Sequence, residues 1–386
     1  VQNSAGRGAG TGGAAASSGT GGRAASGDAG AANDAGTHDS GTGNDAGVAS
    51  GKPYLYVSGY GADITRFSLN PDTFAATELG TASGGTSPSY LAISPDKRFL
   101  YAINEASSPN SKVVAFSIDA SDGHLTKIND AQTGGSGAPH LAVHPSGKWI
   151  AVAHYSTGQI SILPVHDDGG VGDATVVNKG PSDGCGKAHQ AVFDSTGNYL
   201  FVPCLDSNYV IQFKFSQGML SYNTPATVAV SGGPRHLALD PSEHYAFVIS
   251  ELESLLTSFK YDAATGTLSD GQSINSYDQT KGASAHVVVH PSGHWLYVSN
   301  RTENSIGLFS IDAGGRPHSV AFTKDMIATP RDFSVDPSGA FLISANQDGA
   351  QNVLIFAIDG GNGMLSRVQV VPVGGQPTFT KVLLLP

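Results

Sequence analysis

One pattern recurs along this chain and constrains its fold more than any other feature. A head of Pro or Ala plus a polar residue leads into an apolar alternation and an Asp/His-Pro-x-Gly type of turn. A hydrophobic run and a closing polar pair follow. The copies run Pro88-Ser89 to Asn104-Glu105, Pro139-His140 to His154-Tyr155, Ala188-His189 to Cys204-Leu205, Pro234-Arg235 to Ser250-Glu251, Ala285-His286 to Asn300-Arg301, and Pro330-Arg331 to Asn346-Gln347. The polar head residues stand 45 to 51 positions apart, close to the ~40–50 residues of a β-propeller blade. Each copy holds four strand-like runs, such as 90–94, 99–103, 112–118 and 125–128 in the first, separated by turn chemistry. The expectation is all-β.

A seventh copy is split between the chain ends. Gly51-Lys52-Pro53-Tyr54-Leu55-Tyr56-Val57 matches the second half of a unit, and the missing head is Pro377-Thr378-Phe379-Thr380-Lys381-Val382-Leu383-Leu384. A linear solenoid would need capping repeats instead. A seven-bladed propeller, closed by pairing of the N- and C-terminal strands in one blade, leaves no long free sheet edge.

Residues 1–50 are different. They contain 14 Gly and 13 Ala and no aromatic residue, too little apolar surface to offset the entropy of ordering a backbone. The expectation is a disordered tail over 1–50 and a propeller over 51–386. The tail is a candidate for contact with a protein or surface partner, and it favours an extracytoplasmic setting (periplasmic, cell-surface or secreted) over a cytoplasmic one. A net charge of −11 argues against nucleic acid or an anionic bilayer as partner. No stretch reaches the ~20 apolar residues of a spanning helix.

In a propeller the first strand of each blade lines the central channel, and its start lies beside the end of the second strand. The head residues Ser89, His140, His189, Arg235, His286, Arg331 and Thr378 are therefore expected at one mouth. So are the second-strand ends Glu105, Tyr155, Leu205, Glu251, Arg301, Gln347 and Gly59. Singly, such residues can satisfy carbonyls at blade junctions. Together they are a concentration of ionisable groups in a chain only 14% charged, and such clusters in clefts are candidates for function.

The units Gly-Pro-Arg235-His236-Leu-Ala…Phe247-Val-Ile-Ser-Glu251-Leu and His290-Pro-Ser-Gly-His-Trp-Leu-Tyr-Val-Ser-Asn300-Arg301 resemble the lactonase-type seven-bladed propellers. These include 6-phosphogluconolactonases and carboxymuconate lactonizing enzymes. Ala188-His189-Gln-Ala-Val-Phe-Asp and Pro330-Arg331-Asp-Phe-Ser-Val-Asp-Pro fit the same pattern. The resemblance implies a catalytic set of one His, two Arg and one Glu, which fall here on His189, Arg235, Arg301 and Glu251. Where the family tends to show Asp-Leu-Gly-x-Asp, this chain reads Cys204-Leu205-Asp206-Ser207-Asn208, and an Asn-Tyr becomes His154-Tyr155.

Lactone opening needs an activated water, a stabilised oxyanion and an anchor for an anionic substituent. Arg forks suit the last two tasks, and Glu or His the first. Arg235 and Arg301 are expected to bind an anion, with His140, His286, Arg331 and Glu105 as further substrate contacts. Proton transfer falls to Glu251 and His189, with the base left open between them. The substrate expected is a small anionic lactone or its open acid, handled without a cofactor. No metal site is expected, since the close-spaced pairs Cys185…His189 and His140…His144 do not converge at the mouth. Cys185 and Cys204 flank the first hairpin of their blade and should form a disulfide. The competing expectation is a non-catalytic binding or scaffold propeller outside the cytoplasm.

Overall fold

A computed structural model of the chain describes residues 51–106, 111–178, 184–348 and 352–386. The tail expected at 1–50 lies outside them. The described residues form seven four-stranded antiparallel sheets and no helix, so no helix is long and apolar enough to cross a membrane. Blades 1 to 6 begin at Pro88, His140, Val192, Pro234, Ser284 and Pro330. Blade 7 has the strand order Pro377–Leu385, Lys52–Gly59, Asp63–Leu69, Ala76–Ser83. The chain ends pair from Lys52↔Leu385 to Gly59↔Pro377, which closes the ring as the split repeat predicts.

The strand patterns follow from position in the blade. Second strands lie between two neighbouring sheets, so both faces are covered and they read as unbroken apolar runs. Phe99–Asn104 is buried at all six positions. Outer strands face solvent, and Ala76–Ser83 has no buried residue. Seven apolar clusters fill the seven gaps between blades; one packs Leu91, Leu100 and Phe116 of blade 1 against Tyr56, Phe379 and Leu383 of blade 7. Each such side chain contributes about 1.5–3 kcal/mol on full burial. The core is thus distributed around the ring.

The turn of the repeat has two physical duties. Its glycine must adopt left-handed backbone: Gly147, Gly197, Gly293 and Gly339 have φ of 72, 73, 74 and 77°, where a Cβ is disfavoured. Its Asp or His ties the turn together. Asp240 Oδ1 accepts from the N–H groups of His244 and Tyr245. His144 and His290 do this through Nδ1, which accepts from the Ser146 and Ser292 N–H groups, and also reach the next blade, with Nε2 3.0 Å from Gly197 O and 2.8 Å from Gly339 O. Cys185 and Cys204 form a disulfide with Cα atoms 5.2 Å apart. It ties the loop entering blade 3 to the end of that blade's second strand.

Candidate active site

One mouth of the channel is built by a device repeated in every blade. The residue that opens each inner segment is left-handed: Ser87, Gly137, Lys187, Gly233, Ala283, Thr329 and Gln376 have φ between 46 and 75°. Its carbonyl accepts the N–H of the residue that follows the second strand. The acceptor–donor pairs are Ser87–Glu105, Gly137–Tyr155, Lys187–Leu205, Gly233–Glu251, Ala283–Arg301, Thr329–Gln347 and Gln376–Tyr60. Five of the seven are not glycine, so the rim holds backbone that costs about 1–2 kcal/mol per residue.

Immediately afterwards the strand ladder slips. Pro234 pairs with Ser250 and His236 with Ile249, so Arg235 is passed over. The same slip passes over Ser89, Arg331 and Thr378, and both Ala285 and His286 in blade 5. A bulge of this kind re-aims side chains and breaks the two-residue alternation of a strand. In the blades that carry it, two consecutive residues can then face the channel, in two layers.

The upper layer, counted two residues on from the left-handed position, is Ser89, Pro139, His189, Arg235, Ala285, Arg331 and Thr378. The lower layer is Tyr90, His140, Gln190, His236, His286, Asp332 and Phe379. This corrects two of the expected mouth residues. His140 and His286 belong to the lower layer, where they line a cavity of about 740 Å³ that also meets Lys381 and Asp332. Their blades carry the head Pro or Ala one residue later relative to the left-handed position, which moves each His down one layer. The rim residue of blade 7 is likewise Tyr60, not Gly59.

At the mouth, Glu251 bridges two guanidinium groups. Its Oε2 lies 2.9 Å from Arg235 Nε and its Oε1 3.0 Å from Arg301 Nη2. Both arginines are also anchored to backbone, Arg235 Nη1 to Ala285 O and Arg301 Nε to Ala283 O at 2.9 Å. Arg235 is 2% exposed. His189 and Arg235 line a small cleft with Glu105, Arg331, Ser89 and Thr378, enclosing about 10 Å³. Arg331 sits 4.0 Å from Glu105 and has its guanidinium over the Tyr60 ring at 5.3 Å. The Tyr155 ring meets His189 edge-on at 5.7 Å.

Charge at this mouth runs against the protein as a whole. Arg235, Arg301 and Arg331 oppose Glu105 and Glu251, a local balance of +1 (three minus two) on a chain of −11. Burial drives the His189 imidazole well below its ordinary value, and Arg235, Arg331 and Arg301 add to that. It is neutral at pH 7, and its Nδ1 is buried without a hydrogen-bond partner. Burial alone would raise the Glu251 carboxyl, but Arg235 and Arg301 outweigh it and hold the group below its ordinary range. Burial and the Arg301 charge pull Arg235 down to about 9, against Glu251; it stays charged at neutral pH.

The departures from the family pattern have structural uses. His154 is fully buried, with Nε2 2.9 Å from Thr133 Oγ1 and Nδ1 3.0 Å from Gln159 O. Asn208 Oδ1 accepts from Gly233 N–H at 2.9 Å and so helps place the left-handed residue of the Arg235 blade. Tyr60, Gln190, His236 and Asp332 were not expected at the channel. Strict strand alternation turns His236 and Asp332, each the residue after a head, away from it, and the bulges of their blades bring them in.

The chain matches the family of lactonases with a seven-bladed β-propeller over residues 54–382. It is 32% identical over 302 residues to the 6-phosphogluconolactonase of Pectobacterium atrosepticum, covering 76% of this chain and 88% of the relative. It is 28% identical over 325 residues to the 6-phosphogluconolactonase of Bacillus subtilis, covering 81% and 91%. Among solved structures, a Bacteroides fragilis protein provisionally assigned as a 6-phosphogluconolactonase superimposes with a TM-score of 0.79 at 26% identity, over 86% of this chain and 98% of that one. A periplasmic gluconolactonase of Pseudomonas aeruginosa shares the fold, with a TM-score of 0.80 at 24% identity over 87% and 100%. With seven blades, a matched length of that extent and relatives of this kind, the chain belongs to the lactonase family of seven-bladed β-propellers.

Proposed function

We propose that the chain hydrolyses a small lactone bearing an anionic substituent, at the mouth formed by His189, Arg235, Glu251 and Arg301. The observation that carries this reading is the Glu251 bridge between two arginines beside a neutral, unpartnered His189. His189 Nδ1 accepts the proton of a water as that water attacks the lactone carbonyl. The enclosed space of about 10 Å³ is about the room one water needs. Arg235 stabilises the tetrahedral oxyanion with donors already held in place, and Arg301 binds the anionic substituent. When the ring C–O bond breaks, protonated His189 returns its proton to the leaving alkoxide.

This assigns Glu251 a positioning task. Both its oxygens are engaged by guanidinium groups, whereas His189 offers an unpartnered Nδ1 for the proton of a water. Arg331, 4.0 Å from Glu105 and 3.4 Å from Gln347 Oε1, is a further contact for the anionic substituent. The disulfide supports an oxidising compartment outside the cytoplasm. The test is turnover of 6-phosphogluconolactone and of uncharged gluconolactone by the purified chain. Hydrolysis above the spontaneous rate, with kcat/KM favouring the anionic compound, is expected. No turnover of either by the parent protein, or equal rates in His189→Gln, overturns the reading.

A further inference from the structure

Below the mouth, the lower channel layer holds three metal-ligating side chains with no other role in the proposed chemistry. Ligand atoms of His236, His286 and Asp332 lie within 4.8 Å of one another. Their exposures are 3%, 8% and 3%. They come from the inner strands of three successive blades, delivered by the bulges that also set Arg235 and Arg331 at the mouth.

Their hydrogen bonding does not close. His236 Nδ1 faces His286 Nδ1 at 2.6 Å, and His286 Nδ1 faces Asp332 Oδ2 at 3.5 Å. If His236 donates to His286, the His286 nitrogen presents a lone pair to the carboxylate. If His286 donates to His236, its one Nδ1 proton is used there. In both tautomers Asp332 lacks a well-formed donor from the histidines, both its oxygens are buried, and the Thr380 N–H approaches them without reaching hydrogen-bond geometry. An unpaired buried carboxylate is costly. Of the cations nearest it, Arg235 is taken up by Glu251 and the Ala285 carbonyl, Arg331 is directed to Glu105 and Gln347, and Lys381 lies on the side of the wide cavity. A single divalent cation accepts all three lone pairs at once.

We propose that His236, His286 and Asp332 bind a divalent transition-metal cation, zinc by preference, at the waist of the channel. Two imidazole nitrogens and a carboxylate suit zinc, with a fourth position left for water or a ligand. Bonds of about 2.0–2.1 Å place ligand atoms roughly 3.3 Å apart in a tetrahedral site, so small ring rotations bring the trio into place. The wide cavity of about 740 Å³, lined by His140, Gln190 and Lys381 as well as His286 and Asp332, gives the ion a route in from the face opposite the mouth. The site is independent of whether the mouth hydrolyses lactones.

The experiment uses the full chain without a histidine tag, stripped with chelator and titrated with Zn²⁺ by calorimetry, with elemental analysis of the dialysed product. One zinc per chain is expected, with a dissociation constant below about 1 µM and a melting temperature raised by the ion. Asp332→Asn keeps the shape of the side chain and should weaken binding roughly 100-fold or more, since even the loss of outer-layer partners costs 10–100-fold. Should that variant fail to fold, His286→Gln carries the same comparison. Absence of stoichiometric zinc in the parent overturns the proposal, as does a folded variant that binds like the parent.

Discussion

Arg235 and His236 are consecutive in the chain, yet both reach the central channel, because the ladder between Pro234–Ser250 and His236–Ile249 passes over Arg235. The first is thereby available to Glu251 at the mouth and the second to His286 at the waist. One bulge sets the chemistry of two layers.

Replacing His189 by Gln removes the proposed base while retaining a polar side chain. Turnover of an anionic lactone should fall by about 10²–10⁴ with little change in KM. A steady-state comparison of kcat and KM checks this, and an unchanged kcat would return the base to another group.

Arg301→Lys keeps the charge but not the fork that meets Glu251 Oε1 and the Ala283 carbonyl. The expected result is a raised KM for the anionic lactone, roughly tenfold, and a smaller effect on an uncharged one. Equal effects on both substrates would mean that Arg301 does not bind the anionic substituent.

Glu251→Gln leaves the buried Arg235 charged and without its carboxylate, at a cost of about 3 kcal/mol in stability at pH 7. The pH dependence has a definite sign. The folded carboxyl is held below its ordinary value of 4.5, so its contribution is complete above that value and is lost as the pH falls through the folded value. Urea unfolding of parent and variant between pH 3 and 8 should show curves that are separated at neutral pH and converge below about 4.5. A separation that widens as the pH falls below about 4.5 would contradict it.

Cys185→Ser with Cys204→Ser opens a loop with a sequence separation of 19, for which the chain-entropy model gives about 3 kcal/mol. Denaturant unfolding of the double variant should show a lower midpoint, and reductant should have the same effect on the parent. Reductant acting on the double variant as strongly as on the parent would show that the loss lies elsewhere.

Leu383 sits in the closing strand, 4% exposed and packed between blades 7 and 1. Leu383→Ala should cost about 2–5 kcal/mol. The same change at Leu79, 40% exposed on an outer strand, should cost under 1 kcal/mol. Similar losses at the two sites would mean that ring closure adds nothing special.

Blade number, ring closure by the chain ends and the candidacy of His189, Arg235, Glu251 and Arg301 were all legible in the sequence. Each rests on a short-range pattern: a period of 45 to 51, half a repeat at either end, and motif residues beside a turn. What the tertiary structure alone decided is the layer in which each channel residue lies. Alternation along a strand assigns His140 and His286 to the mouth, turns His236 and Asp332 away, and pairs Gly59 where Tyr60 stands. The left-handed residue at each rim, and in the His236, His286 and Asp332 blades the bulge after it, shift these assignments by one position. That bulge is stabilised by contacts between strands and between blades, such as the bond from Glu251 N–H to Gly233 O and that from Arg235 to Ala285 O. Its partners lie up to 50 residues away, so no local pattern records it.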